Sequence, residues 1–218
     1  MKDRIWDSVG AATGILAIVI MFVGVGISGS ESPDPHDPSA QIAKMFVEQS
    51  DRAQTGAMVA LVSLVFLFGF LTYFRGRLRE AEGDGGWLTS MAYEGELVSV
   101  AMLLVFVSMG LATTSIPGGG EDTQVAKVFA VYMWNYAWVF APPMVAFTLG
   151  ASLVIVRYGA LPRWTGWVGL VVTPLGLIMP WVGVPIVWVW VQMVSVALVI
   201  QVWSAPRRAA AAAVPATP

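Results

Sequence analysis

Six apolar stretches, each about as long as a lipid bilayer is thick, dominate this sequence. They cover residues 9–28, 55–74, 87–114, 125–156, 164–180 and 184–203. A helix needs roughly 20 mainly apolar residues to cross the hydrocarbon core, where its backbone groups must pair within the helix. The stretches do not alternate apolar with polar residues, which favours helices over a β-barrel. We therefore expect an all-α protein, a bundle of six transmembrane helices.

The composition supports this class. Of the 218 residues, 57% are hydrophobic and only 12% are charged, whereas soluble domains carry roughly 25% charged residues. The chain has no cysteine, which excludes disulfides, thiolate nucleophiles and iron–sulfur clusters. We expect residues 1–204 to form a single transmembrane domain, and the alanine- and proline-rich residues 205–218 to form a disordered cytoplasmic tail.

The first apolar stretch could also be a signal peptide. The apolar core of a signal peptide has about 7–15 residues, and the stretch at residues 9–28 is longer than that. The sequence Ser28-Gly29-Ser30 would be a weak cleavage site. We favour a helix that stays in the protein.

A polar loop with the only histidine follows the first stretch. Three prolines within six residues exclude a helix at its start. Ile42, Met45 and Phe46 then recur at helical spacing, which predicts a short amphipathic helix on the extracytoplasmic membrane face. His36 stands alone in the proline-rich part, so we expect a solvated side chain there and no metal site.

Lysine and arginine are distributed unequally between the two sets of helix ends. One set has nine of them and the other has three, so the positive-inside rule predicts that both termini are cytoplasmic. The turn at residues 181–183 is short, and a single re-entrant hairpin is the alternative to two spans there. The nine are Lys2, Arg4, Arg75, Arg77, Arg79, Arg157, Arg163, Arg207 and Arg208, and the three are Lys44, Arg52 and Lys127.

The only acidic residues inside any apolar stretch are Glu94 and Glu96, in the third. A carboxylate in hydrocarbon costs at least about 2.5 kcal/mol. The two side chains lie about 200° apart around a helix, so one face cannot hold both. We expect Glu96 inside the bundle and Glu94 near the cytoplasmic interface. Glu96 is then either a proton or cation site or a hydrogen bond between packed helices.

Two further polar residues share the predicted depth of Glu96. Gln201 lies about 9 Å along its helix from Arg207, and Thr13 lies about 13 Å from Arg4. Glu96, Gln201 and Thr13 therefore form a predicted polar cluster in the inner half of the bundle. Its basis is depth alone, because the direction of each side chain around its helix is not determined by the sequence.

The turn at residues 161–169, LPRWTGWVG, is the most distinctive one in the chain. Its proline opens a helix, and its arginine and two tryptophans suit a membrane interface. This turn and the six-helix layout resemble the uncharacterised bacterial membrane family called domain of unknown function 4386, over about residues 9–203. Members often carry an acidic residue early in the third helix, which would correspond to Glu94 or Glu96. The resemblance implies a fold and a location, and no activity.

These observations favour a non-enzymatic integral membrane protein of the bacterial plasma membrane. We expect it to bind a lipid, a small molecule or a membrane protein partner through the bundle. The alternative is a small proton-coupled transporter that uses Glu96 as its titrating group. No nucleophile–base pair indicates a catalytic residue, and no motif indicates a metal, a cofactor or nucleic acid.

Overall fold

Seven α-helices make up the described part of the chain, which contains no strand. The computed structural model describes the backbone of residues 2–29, 33–114 and 123–212, and the side chains of residues 5–29, 33–114 and 123–204. The all-α prediction is confirmed. The helices are α1 (Lys2–Ser28), α2 (Ser39–Glu48), α3 (Ser50–Glu82), α4 (Trp87–Thr113), α5 (Thr123–Tyr158), α6 (Arg163–Ile178) and α7 (Pro180–Ala212).

Five of these helices, namely α1, α3, α4, α5 and α7, are long and apolar enough to cross a membrane. The sixth predicted span corresponds to α6, which has 16 residues and is therefore about 24 Å long. That length is slightly less than the hydrocarbon core of roughly 30 Å. A count of six spans therefore remains a prediction, whereas five long apolar helices are present.

Two helices extend well beyond the apolar stretches that predicted them. α3 continues past Phe74 to Glu82, so the arginines that follow the apolar stretch are helical. α7 continues to Ala212, through part of the segment that was expected to be disordered, and residues 213–218 lie outside the described residues. Arginine, glutamate and alanine all favour helix, so a helix need not end where its apolar stretch ends.

The connection between α6 and α7 corrects the predicted turn at residues 181–183. Only Met179 separates the two helices, and α7 already begins at Pro180. Proline suits the first position of a helix because the N–H that it lacks would have no partner there. A Cβ placed on Gly183 would collide with the backbone of Gly176, so the two helices touch directly after the turn.

α5 packs against most of the other helices. α5 contacts α2, α3, α4, α6 and α7, while α1 lies between α3 and α7, and α4 lies between α3 and α5. Close contacts join Gly24 to Gly56 and Gly10 to Tyr73, which makes α1 and α3 antiparallel. α4, α5, α6 and α7 likewise each run opposite to the helix that precedes them in the chain.

Alternating directions give the bundle two ends that differ in charge. We call the end where α3 and α5 finish the arginine end, and the opposite one the α2 end. The side chains of Lys2, Arg4, Arg207 and Arg208 lie outside the described residues. Described basic residues at the arginine end are Arg75, Arg77, Arg79, Arg157 and Arg163, and those at the α2 end are Lys44, Arg52 and Lys127.

The outer surface of the bundle is apolar between these ends. Val65, Val171 and Ile178 are 70%, 67% and 70% exposed, and many other aliphatic and aromatic side chains point outward with them. Soluble proteins rarely expose apolar patches of this extent. The surface is therefore that of a protein embedded in lipid.

Glycines bring α4 and α5 into backbone contact. A Cβ on Gly95 would lie 2.6 Å from the carbonyl oxygen of Pro143, and one on Gly150 would lie 2.7 Å from that of Leu88. Helices in lipid associate through such close packing because no hydrophobic effect drives them together there. Pro142 and Pro143 lie within α5, which remains a single helix through both prolines.

Glu82, at the end of α3, caps the start of α4. Its carboxylate accepts hydrogen bonds from the backbone N–H of Thr89 at 2.8 Å, the hydroxyl of Thr89 at 2.6 Å and the backbone N–H of Leu88 at 3.2 Å. The first N–H groups of a helix have no partner within it. Glu82 therefore satisfies them from the neighbouring helix and closes the α3–α4 hairpin.

The amphipathic prediction for α2 is confirmed by its buried face. Ile42, Ala43 and Phe46 are buried and form a small cluster with Ala126 and Ala130 of α5. α2 therefore covers the first turns of α5, and Ile42 and Phe46, two of the three side chains whose spacing predicted the helix, belong to its buried face.

The contact at Gly95 predicts a sharp difference between two glycines of α4. Gly95→Ala should lower the free energy of unfolding by about 1–3 kcal/mol, because backbone atoms of α5 cannot move aside for the methyl group. Gly110→Ala is the control, since a Cβ there has nothing within 4 Å. Thermal unfolding of the detergent-solubilised variants measures both. Equal melting temperatures would contradict the close α4–α5 contact.

Candidate functional site

Glu96 points into the bundle, and Glu94 points out of it. Glu96 is 4% exposed, whereas Glu94 is classed among the exposed residues of α4. Glu96 shares its buried helix face with Ala92, Gly95 and Ser99. The buried position of Glu96 agrees with the expectation that it faces the bundle interior, whereas the place of Glu94 near the cytoplasmic interface stays a prediction.

The buried carboxyl group of Glu96 has no hydrogen-bond partner among the described residues. Oε2 of Glu96 is buried and makes no hydrogen bond to any described residue. The nearby hydroxyl of Ser99 donates instead to the carbonyl of Gly95, at 2.9 Å. Buried polar atoms are almost always paired, and an unpaired one costs free energy. The structure thus gives no sign of the packing hydrogen bond that was the alternative to a proton or cation site.

The other members of the predicted polar cluster are not joined to Glu96. The Thr13 hydroxyl donates to the carbonyl of Gly10 in its own helix at 2.7 Å. Oε1 of Gln201 is buried without a partner among the described residues. Thr13 belongs to α1 and Gln201 to α7, whereas α4 packs between α3 and α5. No hydrogen bond among the described residues connects the three side chains.

A lateral cleft in the wall of the bundle is a feature that the sequence did not indicate. It lies between α1, α4, α5 and α7 in the half of the bundle near the α2 end, and its volume is about 330 Å³. Nearly all of its lining is apolar, with Met21, Phe106, Phe140, Val184 and Trp188 among the lining residues. Phe22 and Trp181 at its rim are 48% and 51% exposed. The cleft is therefore open to the side, where lipid would lie.

An aromatic row forms one wall of the lateral cleft. Tyr136 stands at its centre, with ring centroids 4.5 Å from Phe106, 5.6 Å from Phe140 and 5.8 Å from Tyr132. The Tyr136 hydroxyl is buried and has no hydrogen-bond partner among the described residues. Such rings give a wall of fixed shape that suits an apolar ligand.

A second cavity of about 260 Å³ adjoins the lateral cleft toward the α2 end. The two share lining side chains, among them Val25, Leu103 and Met133. Ser28, Gln49 and Thr113 add polar groups to the second cavity, and Phe46 of α2 also lines it. Together the two spaces offer an apolar part beside lipid and a partly polar part beneath α2.

His36 takes part in a local turn. The backbone N–H of His36 donates to the Asp34 carboxylate at 2.8 Å, and the ring Nδ1 lies 2.8 Å from the same oxygen. The backbone hydrogen bond, followed by that of the ring, lowers the pKa of the Asp34 carboxyl below its usual value. No group of three or more potential metal ligands occurs among the described residues.

Comparisons with known proteins found no relative of this chain. No protein family model, no curated protein and no solved structure matches this chain. The candidate site is therefore argued from its own geometry alone.

The lining residues of the lateral cleft were missed because both faces of a lipid-embedded helix are apolar. Trp181 and Trp188 are seven residues apart and so share one face of α7. This spacing was the one available signal, but exposed tryptophans are also typical of membrane interfaces. Tyr132 and Tyr136 are prominent in the sequence, but the contact of Tyr136 with Phe106 depends on how α4 packs against α5.

The unpaired carboxyl predicts the effect of removing it. Glu96→Met should leave the free energy of unfolding unchanged or raise it by about 1–3 kcal/mol, because an apolar group of similar length removes an unsatisfied buried atom. Glu94→Met, at an exposed position of the same helix, is the control. Chemical unfolding in detergent measures both variants. A marked loss of stability in Glu96→Met alone would show that the carboxyl holds helices together.

Proposed function

We propose that this chain is a non-enzymatic, six-span integral membrane protein that holds an acyl chain of a phospholipid in the lateral cleft. It would lie in the bacterial plasma membrane, with the arginine end and both termini in the cytoplasm. The lateral cleft is the observation that carries this proposal, because it combines an apolar wall with an opening toward lipid.

The size and chemistry of the lateral cleft support a ligand of this class. Ligand pockets commonly measure about 300–1,000 Å³ and are lined mainly by apolar and aromatic side chains. The lateral cleft, of about 330 Å³, falls at the lower end of that range. Methionines such as Met21 and Met133 adapt their shape to a flexible chain. A lipid headgroup would then lie toward Ser28, Gln49 and Thr113 in the adjoining cavity.

Orientation follows from the distribution of charge. The arginine end has the larger number of described basic residues, and cytoplasmic flanks of membrane helices carry an excess of lysine and arginine. The six-span count requires α6 to cross the membrane despite its length. Its antiparallel contacts with α5 and α7 favour a crossing. Membership of the uncharacterised six-helix family remains a prediction from the resemblance of residues 161–169.

Filling the lateral cleft should prevent the lipid from binding. Val184→Phe adds a ring where Val184 lines the lateral cleft, whereas Val182→Phe adds the same ring at a position of α7 that is 46% exposed. Each protein is purified in mild detergent with palmitoyl-oleoyl phosphatidylethanolamine and examined by native mass spectrometry. The wild type and Val182→Phe should each retain a phospholipid molecule, and Val184→Phe should lose it. Equal retention by all three would contradict the proposal.

A second candidate function is proton-coupled transport through Glu96. The buried Oε2 without a partner favours it, since a bound proton or cation would satisfy that atom. A small molecule that copurifies with the wild type and is lost from Glu96→Gln, while the phospholipid in the lateral cleft remains, would support this function. Native mass spectrometry of both proteins provides the test. Wild-type protein without any such molecule, and identical to Glu96→Gln, would argue against it.

A further inference from the structure

A separate, basic cleft lies at the arginine end, on the side of the α3–α4 hairpin. Its volume is about 340 Å³, and it lies between the last turns of α3 and the first turn of α4. Arg75, Arg79, Trp87, Thr89 and Ser90 line it together with the Gly85–Gly86 loop. Unlike the lateral cleft, it has a lining of mixed polar and apolar groups, and its chemistry therefore suits a different ligand.

Two arginines provide the charge of this basic cleft. Arg75 and Arg79 are four residues apart, so they share one face of α3, and both are exposed. The Arg75 guanidinium stacks on the Tyr93 ring, 4.1 Å from its centroid. Neither arginine has a salt bridge to a described carboxylate, whereas the neighbouring Arg77 is paired with Glu80 at 2.9 Å. Arg75 and Arg79 therefore keep their hydrogen-bond donors for a ligand.

The nearest acidic group does not cancel this charge. Glu82 directs its carboxylate to the backbone N–H groups of Leu88 and Thr89, which partly neutralise it. Arg157 is also close enough to interact electrostatically with Glu82. Of the other acids where α3 meets α4, Glu80 is paired with Arg77 and Asp84 is exposed in the loop. The balance leaves a cationic cleft with guanidinium groups that suit the oxygens of a phosphate.

The position of the basic cleft points to a lipid as the source of the phosphate. Phe74, directly before Arg75, is buried in the core, and the apolar stretch of α3 ends there. Trp87 at the mouth is 66% exposed, and Trp164 at the same end is 53% exposed. Exposed tryptophans mark the level of lipid headgroups, and basic pockets between helices on the cytoplasmic side bind anionic headgroups.

We propose that the basic cleft between α3 and α4 is a binding site for the headgroup of an anionic phospholipid, held by Arg75 and Arg79. This site is independent of the lateral cleft, which lies near the opposite end of the bundle. A phospholipid bound there would join the ends of α3 and α4 from outside and so stabilise the hairpin that Glu82 closes from inside.

The full-length protein in detergent is titrated with dioctanoyl phosphatidylglycerol, and the complex is quantified by native mass spectrometry. Wild type should bind it more tightly than dioctanoyl phosphatidylcholine. The double variant Arg75→Gln/Arg79→Gln should bind phosphatidylglycerol at least about tenfold more weakly, because it loses both guanidinium groups that would hold the phosphate. The matched control is Arg77→Gln/Arg163→Gln, which removes equal charge from the same end but outside the basic cleft and should bind as the wild type does.

Three results would overturn the proposal. One is equal affinity of both double variants for phosphatidylglycerol, and another is equal affinity of the wild type for the two lipids. Inorganic phosphate that displaces the lipid at equal concentration would assign the site to a free anion. The single variant Arg79→Gln controls for misfolding of the double variant, because Arg79 is exposed. It should keep the wild-type melting temperature and still weaken binding of phosphatidylglycerol. Wild-type affinity in this folded variant would also contradict the proposal.

Discussion

Close backbone contact at glycines is the interaction on which this bundle depends. In lipid, apolar side chains gain little by turning inward, so helices associate where small residues allow extensive van der Waals contact. Gly95 and Gly150 place α4 against α5, and Gly24 and Gly56 place α1 against α3. α5 contacts five other helices, which means that its glycine contacts position much of the remaining structure.

The lateral cleft lies in the half of the bundle where α4 and α5 no longer meet through glycines. In the arginine half, α4 and α5 meet through Gly95 and Gly150. In the half near the α2 end, Phe106 of α4 meets Tyr136 of α5 across a distance of 4.5 Å between ring centroids. Rings hold the two helices further apart than glycines do. The same pair of helices therefore meets through glycines in the arginine half and through aromatic rings beside the lateral cleft in the other half.

The sequence predicted the helices well and their mutual arrangement poorly. Long apolar runs identify helices because the bilayer leaves the backbone few other structures, and the high cost of a carboxylate in lipid predicted correctly that Glu96 faces inward. The cluster with Gln201 and Thr13 was not found as a set of hydrogen bonds. The depth of a residue in the membrane can be counted along its helix from the sequence. When all faces of a helix are apolar, however, the sequence does not show which face packs against which neighbouring helix. The α6–α7 turn was misplaced for a related reason, because Pro180 can begin a helix as readily as it can end one.

The central claim is the proposed crossing of the membrane by six helices, including the shorter α6. Cysteine labelling tests this claim most directly. The chain has no cysteine, so single-cysteine variants give an unambiguous signal. His36→Cys and Met179→Cys should react with a membrane-impermeant maleimide on intact cells, and Asp84→Cys should react only after the membrane is opened. Met179 is the decisive position, since it joins α6 to α7. A Met179→Cys variant that stays unlabelled under both conditions, or an Asp84→Cys variant that reacts on intact cells, would contradict the six-span arrangement.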